Sequence, residues 1–284
     1  AGLFSPVGWD GAERNPSIRR PPGPSVVSAF LLHCRAMDPV RPPKALLRPV
    51  GRAVARYGMI ADGDRVLLGL SGGKDSLSLL QVLLHLQRHA PVRFTVAAVT
   101  VDPRIPGFDP SPLRDWMAAL GVPYFYESED LQAQAQAHMS HDSFCSFCAR
   151  IKRGIMYRVA RDAGCNVLAL AQHLDDLAES FLMSAFNEGR LQTMKAHYRV
   201  DAGDLRVIRP LVWVRERQLA DFAAAAGLPV VPDSCPACFS MPTQRAHMKD
   251  LLAREEAANP NLFRILRKTL EPLMERGLPA QGPS

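Results

Sequence analysis

The chain has 284 residues, 47% of them hydrophobic, and a formal net charge of +6. Such a length holds one large or two small domains with ample material for a core. No apolar run approaches the roughly 20 residues that a bilayer-spanning helix needs, so no membrane partner is expected, and the basic excess is compatible with a polyanionic one.

Residues 1–43 carry eight of the 24 prolines and little periodicity apart from the apolar stretch 26–32. A segment of that composition cannot bury enough surface to order itself, so it is expected to be an extended or disordered N-terminal extension. Arg14, Arg19, Arg20 and Arg35 with few acids fit a targeting presequence, and a start at Met37 with an artefactual extension upstream fits equally well.

Regular patterns begin at Lys44. A helix is expected over 45–57, a strand over 66–70, and an apolar-periodic helix from the following turn to about 89. A β-branched strand follows at 94–101, then Asp102, a Pro/Gly loop, a helix ending near 120 and a short strand at 124–126. A basic helix over 150–163, a strand at 167–171 and a helix at 174–186 come next. Val207-Ile208 leads through Pro210 to a helix at 215–226, ended by Gly227 and Pro229, and two helices over about 243–256 and 261–275 complete the chain.

Strands alternating with helices imply right-handed crossovers: an α/β fold with a parallel twisted sheet, helices on both faces and a helical C-terminal extension. The expected division is an extension at 1–43, an α/β domain at 44–230 and a C-terminal segment at 231–284. Ligands of such sheets sit at the carboxyl ends of strands. The turn after the first strand, Asp102 and the region of His173 should therefore line one crevice.

That turn reads Ser71-Gly72-Gly73-Lys74-Asp75-Ser76. Paired glycines let the backbone turn sharply and approach a ligand, and the first N–H groups of the following helix have no internal partner, so an anion belongs there. Lys74 adds a positive charge, Ser71 and Ser76 add hydroxyls, and Asp75 adds a carboxylate able to hold a magnesium ion chelated by phosphates. The stretch is not a Walker A loop, because Leu68 stands where its first glycine belongs and Asp75 where Ser or Thr is required. It resembles the PP-loop signature SGGxDS of the ATP pyrophosphatases. That likeness implies cleavage of ATP between the α- and β-phosphates with adenylation of an oxygen.

The stretch Gln172-His173-Leu174-Asp175-Asp176 with Glu179-Ser180 opens the helix after the fourth strand, where the helix dipole favours acidic residues. It resembles the HHxDDxxET motif of PP-loop enzymes that modify tRNA, with Gln172 in place of the first histidine and Ser180 in place of the threonine. His173 and Asp176 are the candidate site residues here.

Six cysteines fall at 34, 145, 148, 165, 235 and 238, four of them in two C-x-x-C pairs. A disulfide framework does not suit a large α/β chain with a nucleotide loop, so thiolates of metal-binding type in a reducing compartment are expected. The pairs alone admit a zinc knuckle or an iron–sulfur cluster. Cys34 and Cys165 read as ordinary thiols.

Taken together, the PP-loop, Pro106-Gly107-Phe108, the segment CSFCARIKRG from Cys145, Ile208-Arg209-Pro210-Leu211 and the late C-x-x-C with Gln244-Arg245 resemble the TtcA family of tRNA 2-thiocytidine synthetases. The likeness runs from about Lys44 to Glu256. It implies a cytoplasmic enzyme that uses ATP and magnesium to adenylate the C2 oxygen of cytidine 32 in a tRNA substrate, then replaces that oxygen with sulfur. It further implies a 4Fe-4S cluster on Cys145, Cys148 and Cys238, with Cys235 as alternative third ligand or as a fourth. A sulfur donor such as a cysteine desulfurase follows, and a homodimer is an assembly the sequence leaves open. By the same resemblance Lys74, Asp75, His173 and Asp176 are the expected catalytic residues, and Arg150, Lys152 and Arg153 are placed to meet thiolates or RNA phosphates. Lysidine synthetases, with HHLDDQAE, and thiouridine synthetases share parts of these motifs. A zinc-stabilised RNA adaptor is the alternative without catalysis.

Overall fold

The computed structural model describes residues 37–138, 144–232 and 244–275. In chain order the elements are α1 (Lys44–Arg56), β1 (Asp64–Gly69), α2 (Lys74–His89), β2 (Phe94–Asp102), α3 (Ser111–Ala119), β3 (Tyr124–Ser128), α4 (Leu131–His138), α5 (Phe144–Asp162), β4 (Val167–Ala169), α6 (Leu174–Asn187), β5 (His197–Arg199), β6 (Arg206–Ile208), α7 (Glu216–Ala225), α8 (Gln244–Ala258) and α9 (Leu262–Glu275).

The strands form one sheet in the order β3-β2-β1-β4-β6-β5, parallel except for the edge pair β5 and β6. The chain enters at β1, winds outward through β2 and β3, then returns to the other side of β1 as β4. That reversal makes the β1–β4 junction the switch point, where the connections diverge and open a crevice at the strands' carboxyl ends.

Alternation along β1 sorts the core. Val66 and Leu68 face a large layer shared with Leu46 of α1, Leu80 of α2, Leu177 of α6 and Leu219 of α7. Leu67 faces the opposite layer with Ile155 and Val159 of α5. Helix α2 is buried continuously from Ser76 to Leu84, because it lies between the sheet and α7. Its Gln81 accepts from the Val40 N–H at 2.7 Å, and the Met37 N–H donates to the Ala119 carbonyl at 2.7 Å, so residues 37–43 run along the domain without regular structure. Pro49 inside α1 has no N–H for the Ala45 carbonyl, and Gln218 of α7 donates to that oxygen at 3.4 Å.

Three features differ from the sequence expectation. The antiparallel edge strand β5 has three residues, too few to show alternation. Helix α4 is an additional element in a Gln- and Ala-rich stretch with no apolar stripe. The basic helix expected from Arg150 starts at Phe144, so the first C-x-x-C lies in its opening turns rather than before it. Expectations for residues 1–36, for Cys34 and for the Cys235-x-x-Cys238 segment fall outside the described residues.

Leu80 is fully buried between α2 and the sheet. Leu80→Ala is expected to destabilise the domain by about 2–5 kcal/mol, read as a lower urea midpoint at unchanged slope.

Candidate active site at the switch point

A crevice of about 680 Å³ opens where β1 and β4 end. Its floor is the loop 71–76. Gly72 adopts φ +85°, and a Cβ added there would lie 2.9 Å from the Cβ of Val231. The Val231 N–H donates to the Gly72 carbonyl at 2.9 Å, which explains the close approach. Ser76 Oγ donates to the Gly73 carbonyl at 2.9 Å and Ser71 Oγ accepts from the Gly73 N–H at 3.3 Å, so the two hydroxyls fix the loop. Gly73 caps α2 without a side chain, which leaves the helix N-terminus open toward the crevice.

Lys74 Nζ lies 3.0 Å from Glu216 Oε1 and 3.2 Å from Asp75 Oδ2. Burial works against the Glu216 carboxylate, but hydrogen bonds from Lys249, at 2.7 Å, and Lys74 outweigh it and hold its pKa at about 2. The Asp75 carboxyl is pushed above its ordinary value by burial, against the pull of His173 and Lys74. Its Oδ1 is buried and, among the described residues, has no hydrogen-bond partner. A buried acceptor without a donor fits a site completed by a cation or a ligand donor.

His173 caps α6. Its Nδ1 accepts from the Asp176 N–H at 3.4 Å while Asp176 Oδ2 accepts from the His173 N–H at 3.0 Å. With Nδ1 accepting, Nε2 carries the hydrogen of the neutral ring, and it lies 3.5 Å from Asp176 Oδ2 and 3.8 Å from Asp75 Oδ2. The fold thus brings Lys74, Asp75, His173 and Asp176 together. Among the described residues no three His, Cys, Asp or Glu side chains converge as a metal site. A divalent ion on Asp75 and Asp176 would complete its shell with phosphate oxygens and water, as magnesium does.

Cys148 is buried in the crevice wall, with Lys152 and Met156 one and two turns further along α5. Cys165 lies outside the crevice lining, half-buried, and burial pushes its thiol pKa up. Asp102 does not line the crevice as expected. Its carboxylate accepts from the Tyr126 hydroxyl and the Arg104 N–H, and Pro103 and Ile105 take the wall instead, because the strand end turns the side chain toward β3.

Sequence reading missed the charges supplied by α7 and α8. Arg245 Nη1 donates to Asp176 Oδ1 at 3.1 Å and to Glu179 Oε2 at 3.3 Å, and Lys249 reaches Glu216 from the same helix. Arg215 pairs with Asp175 at 3.0 Å and with Glu256 at 2.6 Å. In the sequence only the Gln244-Arg245 pair after the second C-x-x-C points toward this network.

The fold and the glycine loop define a PP-loop nucleotide-binding domain, and the PP-loop domain family matches residues 47–252. A tRNA-cytidine(32) 2-sulfurtransferase of Geobacter sulfurreducens is 42% identical over 236 residues, covering 83% of this chain and 92% of that protein. One of Sorangium cellulosum is 41% identical over 219 residues, covering 76% and 77%. The U34-tRNA thiolase NcsA of Methanococcus maripaludis, solved with its 4Fe-4S cluster, superposes with a TM-score of 0.67 at 24% identity, covering 83% of this chain and 84% of that one; at that identity the likeness is one of fold. The chain belongs to the PP-loop family and, within it, to the tRNA-cytidine(32) 2-sulfurtransferases.

Gly72→Ala is expected to abolish ATP binding in calorimetry, since the substitution both strains a positive-φ backbone and drives Val231 off the loop. A second expectation concerns Glu179, whose pKa burial raises to about 7 although Arg245 draws it down. The unfolded carboxyl gives up its proton near 4.5, so between that pH and about 7 the folded state holds more protons and stability falls as pH rises. Glu179→Gln should therefore melt near the wild-type temperature at pH 4 and above it at pH 8 in scanning calorimetry.

Proposed function

We propose that this chain is an ATP-dependent tRNA-cytidine 2-sulfurtransferase that converts cytidine 32 of tRNA to 2-thiocytidine. One observation carries the reading furthest. The PP-loop, Cys148 and both ends of the segment bearing Cys235 and Cys238 border the same crevice, for Val231 and Pro232 enter that segment and Arg245 follows its exit. Cys235 is three residues past Pro232, a reach of at most about 11 Å. Family membership supplies the substrate; the crevice supplies a place for both halves of the chemistry.

In the first half the N–H groups at the α2 terminus and Lys74 bind the phosphates, and Asp75 with Asp176 holds magnesium. The C2 oxygen of the cytidine attacks the α-phosphorus, the bond to the β-phosphate oxygen breaks, and pyrophosphate leaves. His173 Nε2–H orients the two carboxylates between which it sits. In the second half a sulfur at the sulfide level attacks C2, the C2–O bond breaks with its electrons going to AMP, and a proton is released.

The donor set fits an iron–sulfur group. Positions 145 and 148 are one turn apart at the start of α5, where the helix dipole favours thiolate, and Lys152 follows a turn later. Cys145, Cys148 and Cys238 would hold the 4Fe-4S cluster, with Cys235 as alternative third or as fourth ligand. When bound, that cluster supplies an iron with an open position that presents sulfur as a nucleophile. The sulfur comes from the persulfide of a cysteine desulfurase, with a thiol reductant supplying the two electrons that bring it to the sulfide level, and the enzyme works in the cytoplasm. In this reading residues 44–230 activate the base and residues 231–284 bring the second cysteine pair to it.

Mass spectrometry of tRNA nucleosides tests the product: inactivating the gene is expected to remove 2-thiocytidine and leave lysidine and thiouridines intact. Persistence of 2-thiocytidine, or loss of another thionucleoside alone, overturns the reading. Cys148→Ser, purified anaerobically, is expected to lose most of its bound iron while keeping ATP affinity within about twofold, because the thiol and the phosphate loop form separate walls of the crevice.

A further inference from the structure

Arg209 carries a charge that finds no counter-ion among the described residues. Its residue is 6% exposed, and among the described residues no carboxylate pairs with it. Its Nε donates to Gln172 Oε1 at 2.9 Å, its Nη1 donates to the Lys195 carbonyl at 2.6 Å, and it packs 5.6 Å from the centre of the Tyr198 ring. All three partners are neutral. A buried cation held only by neutral groups is expensive unless an anion approaches when the site is filled.

Gln172 stands between that cation and the crevice, which it lines. A guanidinium has only donors, so the Gln172 atom facing Arg209 must be the carbonyl oxygen, and the amide nitrogen must point elsewhere. Among the described residues nothing accepts from that nitrogen. Ser71, which opens the phosphate loop, and Gln172 each follow by three residues the last paired positions of β1 and β4, Leu68 and Ala169, and both line the crevice.

We propose that Arg209 and Gln172 act as a unit that binds the nucleotide: Arg209, as a positioning residue, locks the amide so that its NH₂ donates to a phosphate oxygen of ATP held on the loop. The proposal rests on the crevice being the nucleotide site and deepens that reading. The anion supplies, across one polarised amide, the compensation that Arg209 lacks. It also accounts for glutamine where the resembling motif has histidine, since either side chain accepts with one atom and donates with another.

Calorimetry on the full, anaerobically purified protein with a non-hydrolysable ATP analogue and magnesium tests the unit without tRNA or sulfur transfer. Gln172→Glu keeps the shape and the acceptor for Arg209 but removes the crevice donor. It is expected to weaken analogue binding about tenfold or more, as loss of a charge-assisted hydrogen bond does, while adenosine binds as to wild type. Arg209→Met is expected to weaken the analogue by a similar factor and to add less than about twofold on top of Gln172→Glu, the sign of shared rather than independent contributions. If Gln172→Glu binds the analogue as tightly as wild type, or loses adenosine equally, the unit is only structural and the proposal falls. Loss of 2-thiocytidine formation with these affinities unchanged would indict the sulfurtransferase chemistry instead.

Discussion

The Gly72–Val231 contact is the constraint on which the crevice depends. A backbone carbonyl in a positive-φ turn accepts from a backbone N–H more than 150 residues away, at a spacing that leaves no room for a side chain. The phosphate loop and the entry to the second cysteine segment are thereby one wall. Neither could move independently without losing a buried hydrogen bond, and a buried N–H or C=O left alone costs on the order of 1–3 kcal/mol. The topology supplies the opposite wall: because the chain reverses between β1 and β4, α2 and α5 cover opposite faces, and the end of β4 lies open beside the loop.

Helix α8 extends the same logic to charge. Its first turns send Arg245 to Asp176 and Lys249 to Glu216, and those two carboxylates reach His173 and Lys74 in turn. The helix that closes the second cysteine segment is thus tied to both sides of the phosphate site. Each of these pairs ties α8 to a neighbouring element through half-buried charges, so the network specifies the seat of α8 more than it adds net stability.

How much of this was legible beforehand follows from where the information lies. The loop at 71–76, the strand before it and the helix after it were readable because six adjacent residues carry the turn, the anion site and the apolar period together. The place of His173 and Asp176 at the start of α6 was readable for the same reason. Glu216, Lys249 and Arg245 were not, since their roles arise only when α7 and α8 pack against α2 and α6, and a solvated helix face carries the same residue types. Asp102 was placed wrongly because a strand end gives position but not side-chain direction; Tyr126 on the neighbouring strand decided that. Gln172 stood out as a departure from a motif, but its orientation required Arg209, 37 residues on.

Lys74 is shared between Glu216 and Asp75, so in the proposed reading the phosphates of ATP must compete for it. The arrangement keeps that exchange inexpensive. Glu216 holds Lys74 through Oε1 and Lys249 through Oε2, so when Lys74 turns to a phosphate, Glu216 remains neutralised by Lys249. In the proposed reading Asp75, whose Oδ1 finds no donor among the described residues, would gain the phosphate-bound magnesium as it gives up the lysine contact. Asp75 therefore exchanges one positive partner for another while Glu216 keeps one of its two, and no charge is stranded in a setting where its isolation would cost several kcal/mol. A phosphate loop whose lysine had a single, private counter-ion would have to surrender that amount of binding energy before any chemistry began.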